Sequence, residues 1–422
     1  MNNLLREISK CRVCNGEQLQ LVPSLGYQEV VSFPENNSEV TYTAPLDLVL
    51  CGICGLLQLK FTFNRDILYK RYWYRSGISA LMISSLADIV NSAIKCSPLS
   101  AGDIVIDIGA NDGTLLKQYH SRDIIRVGFE PSQLYELNDD PGILMINDYF
   151  NYHALSLRIG EKKARIITSV AMFYDLDDPN SFVSDVVSCL DEKGVWIIQM
   201  NYLGSMIENN TFDNISHEHL EYYSLTSLIY LLNRHNLAVV KVEINDVNGG
   251  SFRVFVRFKN LTDSSSEVDR KFIHEMLAKE NNMGLMSVTT FQEYIEKINS
   301  IGSALKQFLT NEKEKGKRLC IYGASTRGLV ILQYFKIDHG LFDFAVDKNP
   351  DKWGRYMVGT DIIIYSHEKL VAENPDYMFL LPYHLVEEIK KQEESYLLRG
   401  GTIITPLPLP ALITSGKTEM IA

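Results

Sequence analysis

From residue 104 to residue 258, short β-branched apolar runs alternate with longer stretches in which apolar residues recur every three or four positions. The runs at 104–108, 125–129, 143–146, 166–168 and 195–199 predict strands separated by helices, the mark of a parallel sheet covered on both faces. Two further runs, 238–244 and 252–258, flank Asn245-Asp-Val-Asn-Gly-Gly250, a hairpin-type loop, so these two strands are expected to be antiparallel. A helix is expected over 78–96, and Ser224 reads as the cap of another. Beyond residue 260 the texture changes. Phe291, Tyr294, Ile295, Ile298, Ile301, Leu305, Phe308 and Leu309 follow helical spacing, with Thr290 and Glu293 resembling a capping box. A shorter helix near 268–277 precedes this long one. At Arg318-Leu-Cys-Ile-Tyr-Gly-Ala-Ser-Thr-Arg-Gly328 a second strand, glycine turn and helix begins, followed by strands near 344–347, 378–381 and 402–404. The expected organisation is a cysteine-bearing module with a Tyr-rich entry (1–75), an α/β domain (76–260), a helical connector (261–316) and a Rossmann-like α/β domain (317–422).

The stretch 104–116, Ile-Val-Ile-Asp-Ile-Gly-Ala-Asn-Asp-Gly-Thr-Leu-Leu, carries the clearest chemistry. A strand feeding a glycine-rich turn into a helix offers backbone N–H groups to a nucleotide-like ligand. Asp107 closes that strand, where a carboxylate repels phosphates and favours a sulfonium such as S-adenosylmethionine. Glu130 ends the next strand, where an acid accepts hydrogen bonds from ribose hydroxyls.

Charge and composition narrow the classes. At 422 residues two or three domains are expected, and a net charge of −11 without a basic stripe opposes a nucleic-acid partner. No segment has the apolar length of a membrane span and no signal-peptide pattern opens the chain, so cytoplasmic residence and no membrane partner are the default expectations. Four of the seven cysteines form Cys11-Arg-Val-Cys14 and Cys51-Gly-Ile-Cys54. Two such knuckles can close a tetrahedron of thiolates around a structural Zn²⁺, replacing a core that so short a module could not build. A redox role would need one Cys-x-x-Cys at a helix start.

Two segments remain. Asn214-Ile-Ser-His-Glu-His-Leu-Glu-Tyr-Tyr223 falls at the carboxyl edge of the sheet, after the fifth strand. His217 and His219 could ligate a metal, but no third ligand stands at a recognisable spacing. One histidine as a general base, its tautomer held by a neighbouring group, needs nothing extra. In the second, residues 67–76, Tyr69, Tyr72 and Tyr74 read either as packing between domains or as a wall of the active site. In the C-terminal turn, Gly323 and Gly328 do not fit a P-loop. Ser325, Thr326 and Arg327 could present hydroxyls, backbone donors and a guanidinium to a diphosphate, and a purely structural turn is the alternative.

Taken in order, the paired Cys-x-x-Cys motifs, Tyr72 to Ser76, Asp107-Ile-Gly-Ala-Asn-Asp-Gly113, His217-Glu-His219, Tyr322-Gly-Ala-Ser-Thr-Arg-Gly328, Pro382-Tyr-His384 and Arg399-Gly-Gly401 to Pro408 resemble the sugar C-methyltransferases of deoxysugar biosynthesis over essentially the full length. The resemblance implies a class I methyltransferase sheet between a zinc-binding module and a C-terminal Rossmann-like domain. It implies C-methylation, usually at C3, of a nucleotide-linked 4-keto-deoxysugar for surface polysaccharide or natural-product synthesis. The small-molecule substrate would be handled by a monomer or weak homo-oligomer.

The same resemblance implies the roles. His219 would be the base, assisted by Glu218, with His217, Ser216, Tyr72 and Tyr74 around it. Gly109, Asn111, Gly113 and Glu130, beside Asp107, would hold the cofactor, and Asn147 and Asp148 would face its adenine. Asn201, Tyr202, Ser325, Thr326, Arg327, Tyr383 and His384 would contact the sugar nucleotide. Two departures stand out: Ser216 replaces a tyrosine found in many relatives, and Met172-Phe173-Tyr174 stands where relatives often carry Ala-His. An O- or N-methyltransferase acting on a sugar nucleotide or another small metabolite is the alternative activity. A zinc-containing scaffold or RNA-modifying protein is a third, which the acidic balance opposes.

Overall fold

The computed structural model describes residues 4–36, 39–69, 72–121 and 123–421. Lys70 and Arg71, within the Tyr-rich stretch, lie outside them. The predicted sheet has seven strands, in the order Ile143–Ile146, Ile125–Phe129, Ile104–Ile108, Ala164–Val170, Leu190–Asn201, Ser251–Phe258 and Leu237–Asn245. The first five run parallel, whereas Ser251–Phe258 lies antiparallel to both of its neighbours. The apolar runs mark only the middle of the longer strands, whose ends carry polar residues. The Ile104–Ile108 strand is buried along its whole length, as a central parallel strand must be. It therefore ends at the carboxyl edge of the sheet, where the Gly109 turn opens.

A second sheet of eight strands follows the long helix. Its centre is parallel, in the order Ile362–Tyr365, Phe344–Val346, Leu319–Tyr322, Tyr377–Leu380 and Thr402–Thr405. The helix that leads to it spans Val288–Glu314 and begins before the expected capping box. Ser287 is the cap, accepting the Thr289 N–H, while the Thr290 hydroxyl donates to the carbonyls of Met283 and Gly284. Phe291, Tyr294, Ile295, Ile298, Ile301, Leu305 and Leu309 are buried as the spacing requires, and Phe308 is partly buried.

The cysteine module is not a separate appendage. Its four-stranded antiparallel sheet runs Leu19–Val22, Leu48–Cys51, Leu57–Leu59 and then Glu221–Tyr222, a strand 162 residues further along the chain. Glu221–Tyr222 directly follows the His217-Glu-His219 motif, and the Leu59 N–H donates to the Leu220 carbonyl at 2.9 Å. Leu48, Leu50, Leu57 and Leu59 share one apolar core with the long helix and the C-terminal sheet. Cys11, Val13 and Leu56 belong to another, beneath one face of the seven-stranded sheet. The helix Ala80–Cys96 covers the other face. Among the described residues no helix is long and apolar enough to cross a membrane.

Candidate active site

A single cleft of about 1210 Å³ runs from the Gly109 turn, past His217–His219, to the Ser325 turn of the C-terminal domain. That volume exceeds the roughly 300–1,000 Å³ usual for one small ligand, which suits two reactants held together. The cleft brings together Tyr72, Tyr74, Asp107, Gly109, Asn111, Glu130, Asp148, Asn201, His217, Glu218, His219, Ser325, Thr326, Arg327 and His384. Gly113, Asn147, Tyr202, Ser216 and Tyr383 do not line it. Each of these five has another place.

The glycine turn is held by its own backbone. Gly109 adopts φ +76°, and its N–H and that of Ala110 both donate to the Phe129 carbonyl. A Cβ at Gly109 would also meet Met172 at 3.0 Å, so only glycine fits. Gly113 shapes the other end of the turn, capping Thr114–Lys117 at φ +77°. Glu130 is 5% exposed and its two carboxylate oxygens accept the N–H groups of Asn111 and Ser132 at 2.9 and 2.8 Å. Asn147 supports that acid from behind, donating to the carbonyls of Glu130 and Ser132, and does not line the cleft. Asn111 latches the Tyr-rich segment instead of waiting for a ligand. Its amide accepts from the Ser76 N–H and donates to the Tyr74 carbonyl, while Asp112 accepts from Gly77. Asp107 is buried at the base of the turn and accepts the Thr168 hydroxyl at 2.6 Å; burial pushes its carboxyl up to about 7.

The residues around the glycine turn fit a sulfonium and not a phosphate. Asp107, Glu130, Asp148, Asp175 and Glu218 line the cleft. Its basic side chains among the described residues are Arg6, Arg65 and Arg327, of which Arg6 and Arg327 are paired with Asp177 and Asp213.

Arg327 departs from expectation most clearly. Its Nε and Nη2 reach Asp213 at 2.8 and 2.7 Å, Nη1 donates to the Asn248 carbonyl, and Nη2 donates to the Tyr383 hydroxyl. Tyr383 in turn donates to Asp213 at 2.9 Å. The guanidinium thus ties the two α/β domains together rather than awaiting a diphosphate. Removing one partner strands the other in a dry place, so Arg327→Met should destabilise the fold by about 3–5 kcal/mol. Urea unfolding would read this directly, and an unchanged midpoint would exclude the weld. Ser325 also has a structural duty, accepting the Gly328 N–H as helix cap. The His384 Nδ1 is buried without a hydrogen-bond partner among the described residues.

His219 has its tautomer set. The Asn214 carbonyl, 2.6 Å from Nδ1, can only accept, so Nδ1 carries the proton and Nε2 keeps a lone pair. Burial holds the ring near about 4, neutral at physiological pH. His217 is different: its Nε2–H donates to the Ala44 carbonyl at 2.9 Å, which fastens the motif to the cysteine module. Glu218 faces the cleft with its carboxyl pushed up to about 7 by burial. Ser216 is buried away from the cleft and its carbonyl accepts the His219 N–H. Tyr202 lines a water-sized chamber of about 10 Å³ behind His219. Of the cleft residues without a role assigned from the sequence, two adjoin the histidine motif. Asp175, partly buried and within electrostatic reach of Glu218, and Tyr174, packed on His219, follow the Ala164–Val170 strand. Their position at the carboxyl edge of a strand was the available signal.

The four cysteine sulfurs lie within 4.8 Å of one another, in two knuckles. The Gly16 and Ile53 N–H groups point at the Cys14 and Cys51 sulfurs, at 3.4 and 3.5 Å. An all-sulfur tetrahedral set with backbone donors suits a closed Zn²⁺ site. His217 and His219 belong to no metal-binding cluster among the described residues.

Comparison with known proteins follows the same division. Residues 11–69 match a family described as a zinc binding domain, 80–242 a methyltransferase domain, and 246–408 a C-methyltransferase C-terminal domain. The C-methyltransferase NovU of Streptomyces niveus is 28% identical over 428 residues, covering 99% of this chain and 100% of that one. Among solved structures, the plantazolicin methyltransferase BpumL in complex with S-adenosylhomocysteine and a desmethylplantazolicin analogue is 12% identical with a TM-score of 0.33, covering 43% of this chain and 87% of its own. An S-adenosylmethionine-dependent methyltransferase from Clostridium acetobutylicum is 12% identical with a TM-score of 0.32, covering 42% of this chain and 92% of its own.

Proposed function

We propose that this chain is an S-adenosylmethionine-dependent C-methyltransferase of the kind that carries an N-terminal zinc-binding module, and that it methylates carbon at C3 of a nucleotide-linked 4-keto-deoxysugar. The observation that carries this reading is His219: a neutral imidazole, tautomer locked by Asn214, in the same cleft as the Gly109 turn. An oxygen or nitrogen acceptor already owns a lone pair. Carbon must first lose a proton, and a positioned base of this kind is what that step requires.

In the proposed reaction His219 Nε2 takes the proton from the carbon beside the ketone. The C–H electron pair becomes the enolate π bond, and the carbonyl π pair moves on to oxygen. S-adenosylmethionine, when bound, would supply the electrophilic methyl group: the enolate π pair would form the new C–C bond as the ketone re-forms, and the S–CH3 pair would stay on sulfur as a neutral thioether. Asp107, the Gly109 turn, Glu130 and Asp148 would hold that donor, with Asn147 and Asn111 as supports one layer out. Ser325, Thr326 and His384 would meet the nucleotide end of the acceptor, the Arg327 guanidinium being committed to Asp213. Glu218, whose carboxyl is partly protonated near neutral pH, would offer the sugar either a donor or an acceptor.

Incubation with S-adenosylmethionine and a panel of 4-keto-6-deoxyhexoses linked to dTDP, GDP, CDP or UDP tests the proposal. The expected product has a methyl group bonded to the carbon beside the ketone, with the corresponding ring proton absent by NMR. An O-methyl or N-methyl product would overturn it.

A further inference from the structure

The enolate formed in the proposed reaction needs a partner for its oxygen. Many relatives in the resemblance would offer a tyrosine at position 216; here Ser216 is buried outside the cleft. The carbon that loses the proton and the oxygen that gains charge are two bonds apart on the substrate, so the donor must stand beside the base. Tyr174 does. Its ring meets His219 edge-on, with centroids 4.4 Å apart, and it lines both the cleft and the small chamber behind that histidine.

The placement is rigid. Tyr174 lies in the short turn Phe173–Asp175, and its carbonyl accepts the Leu220 N–H at 2.8 Å, which ties the turn to the histidine motif. The adjacent Phe173 is fully buried among Phe182, Trp196 and Tyr223. The Tyr174 hydroxyl itself makes no hydrogen bond with any described residue, although the residue is only 7% exposed. Tyr72 and Tyr74 also bring phenols to the cleft, but from a segment latched through its backbone to Gln133 and Asn111, and neither ring packs on His219.

We propose that the Tyr174 phenol donates the hydrogen bond that holds the developing enolate oxygen, a role that rests on the C-methylation reading. The proton stays on the phenol throughout; His219 takes the only proton that moves. Burial pushes the phenol well above its usual range, so it remains a donor at every pH where His219 is a base. Asp175 and Glu218 push the same hydroxyl up together with burial, and the Arg327 guanidinium acts against them, so a hydrogen bond and not net charge is what the phenol brings to the oxygen.

The test is Tyr174→Phe, which keeps the ring on His219 and deletes only the hydroxyl. Two rates are followed on the 4-keto-6-deoxyhexose panel: exchange of the hydrogen beside the ketone in deuterated water with S-adenosylhomocysteine bound, and turnover with S-adenosylmethionine. Loss of one oxyanion donor should lower both by about 10²–10³-fold. KM and S-adenosylhomocysteine affinity should stay at wild-type values, because the contact forms only as charge develops. Tyr72→Phe and Tyr74→Phe should have far smaller effects. Wild-type exchange in Tyr174→Phe overturns the proposal, as does a loss matched by weaker S-adenosylhomocysteine binding. A wild-type protein that methylates oxygen or nitrogen without exchanging the hydrogen overturns the C-methylation reading and this role with it.

Discussion

His219→Asn should abolish hydrogen exchange beside the ketone and lower turnover by about 10²–10⁴-fold, the usual worth of a positioned base. Asparagine can still donate to the Asn214 carbonyl in place of Nδ1–H, so the loop should keep its shape while the basic lone pair disappears. S-adenosylhomocysteine binding, read by calorimetry, should therefore be unchanged. The pH profile checks the same residue independently. Burial holds His219 near about 4, below the ordinary 6.5 of histidine, so its neutral, active form persists well into acid. The acid limb of turnover should fall through about pH 4, not 6.5, for as long as the fold survives. A limb near 6.5 that vanishes in His219→Asn would contradict the buried, neutral base.

The same shifts set opposing trends in stability. His217 and His219 take up protons in the unfolded chain near 6.5 but in the folded one only near about 4, so their contribution is lost as pH falls across that window. Asp107 and Glu218 behave oppositely. Their folded carboxyls stay protonated up to about 7 while the unfolded ones ionise near 4, so their contribution is lost as pH rises across that interval. Both windows close near neutrality, where the imidazole of His219 is free to act.

What could be read from the sequence was local in the chain. Asp107, Gly109 and Gly113 are contiguous with the strand and helix they join, so their spacing alone describes the turn. The cysteine knuckles are legible for the same reason, each being four residues long. Polar side chains that choose between a ligand and a distant protein partner were not. Arg327 finds Asp213, 114 residues upstream, and nothing in either neighbourhood records the pairing. Asn147 and Asn111 stand where cofactor ligands were expected, yet their amides serve backbone carbonyls. Ser216 stands where the resemblance implied a residue beside the base, yet it is buried outside the cleft. The cap of the long helix moved from Thr290 to Ser287 because Thr290 had carbonyls of the preceding turn to satisfy. The Glu221–Tyr222 strand is two residues long, too short for any period, and its partner lies in another module.

That short strand makes the metal site consequential for catalysis. Stripping the metal, or replacing Cys51 by Ser, should abolish turnover while leaving the S-adenosylmethionine site able to bind. A structural Zn²⁺ contributes on the order of 10–16 kcal/mol in isolated zinc-finger peptides, comparable to the roughly 5–15 kcal/mol that holds a whole domain. Cys11 and Cys54 are nearly inaccessible, and their sulfurs face one another at 3.5 Å, so removing the ion leaves thiols packed against thiols. Cys51 ends the strand that pairs with Leu57–Leu59, and Leu57–Leu59 carries Glu221–Tyr222 on its far edge. Arg12, between the first two cysteines, donates to the Leu59 carbonyl and to Gln58, so the knuckle also grips the middle strand directly. His217 hangs from Ala44 in the same module. Loss of the metal should thus release both ends of the segment that presents His219. By contrast, the Gly109 turn and Glu130 rest on the seven-stranded sheet and owe the knuckles no hydrogen bond. The expected result is loss of amide protection at Leu59 by hydrogen exchange, together with loss of ketone-adjacent hydrogen exchange, at an S-adenosylhomocysteine affinity close to that of the intact protein. Full turnover in a metal-free chain would show that the histidine motif is held without the module. Equal loss of S-adenosylhomocysteine binding would show that the metal supports the whole fold and not the base.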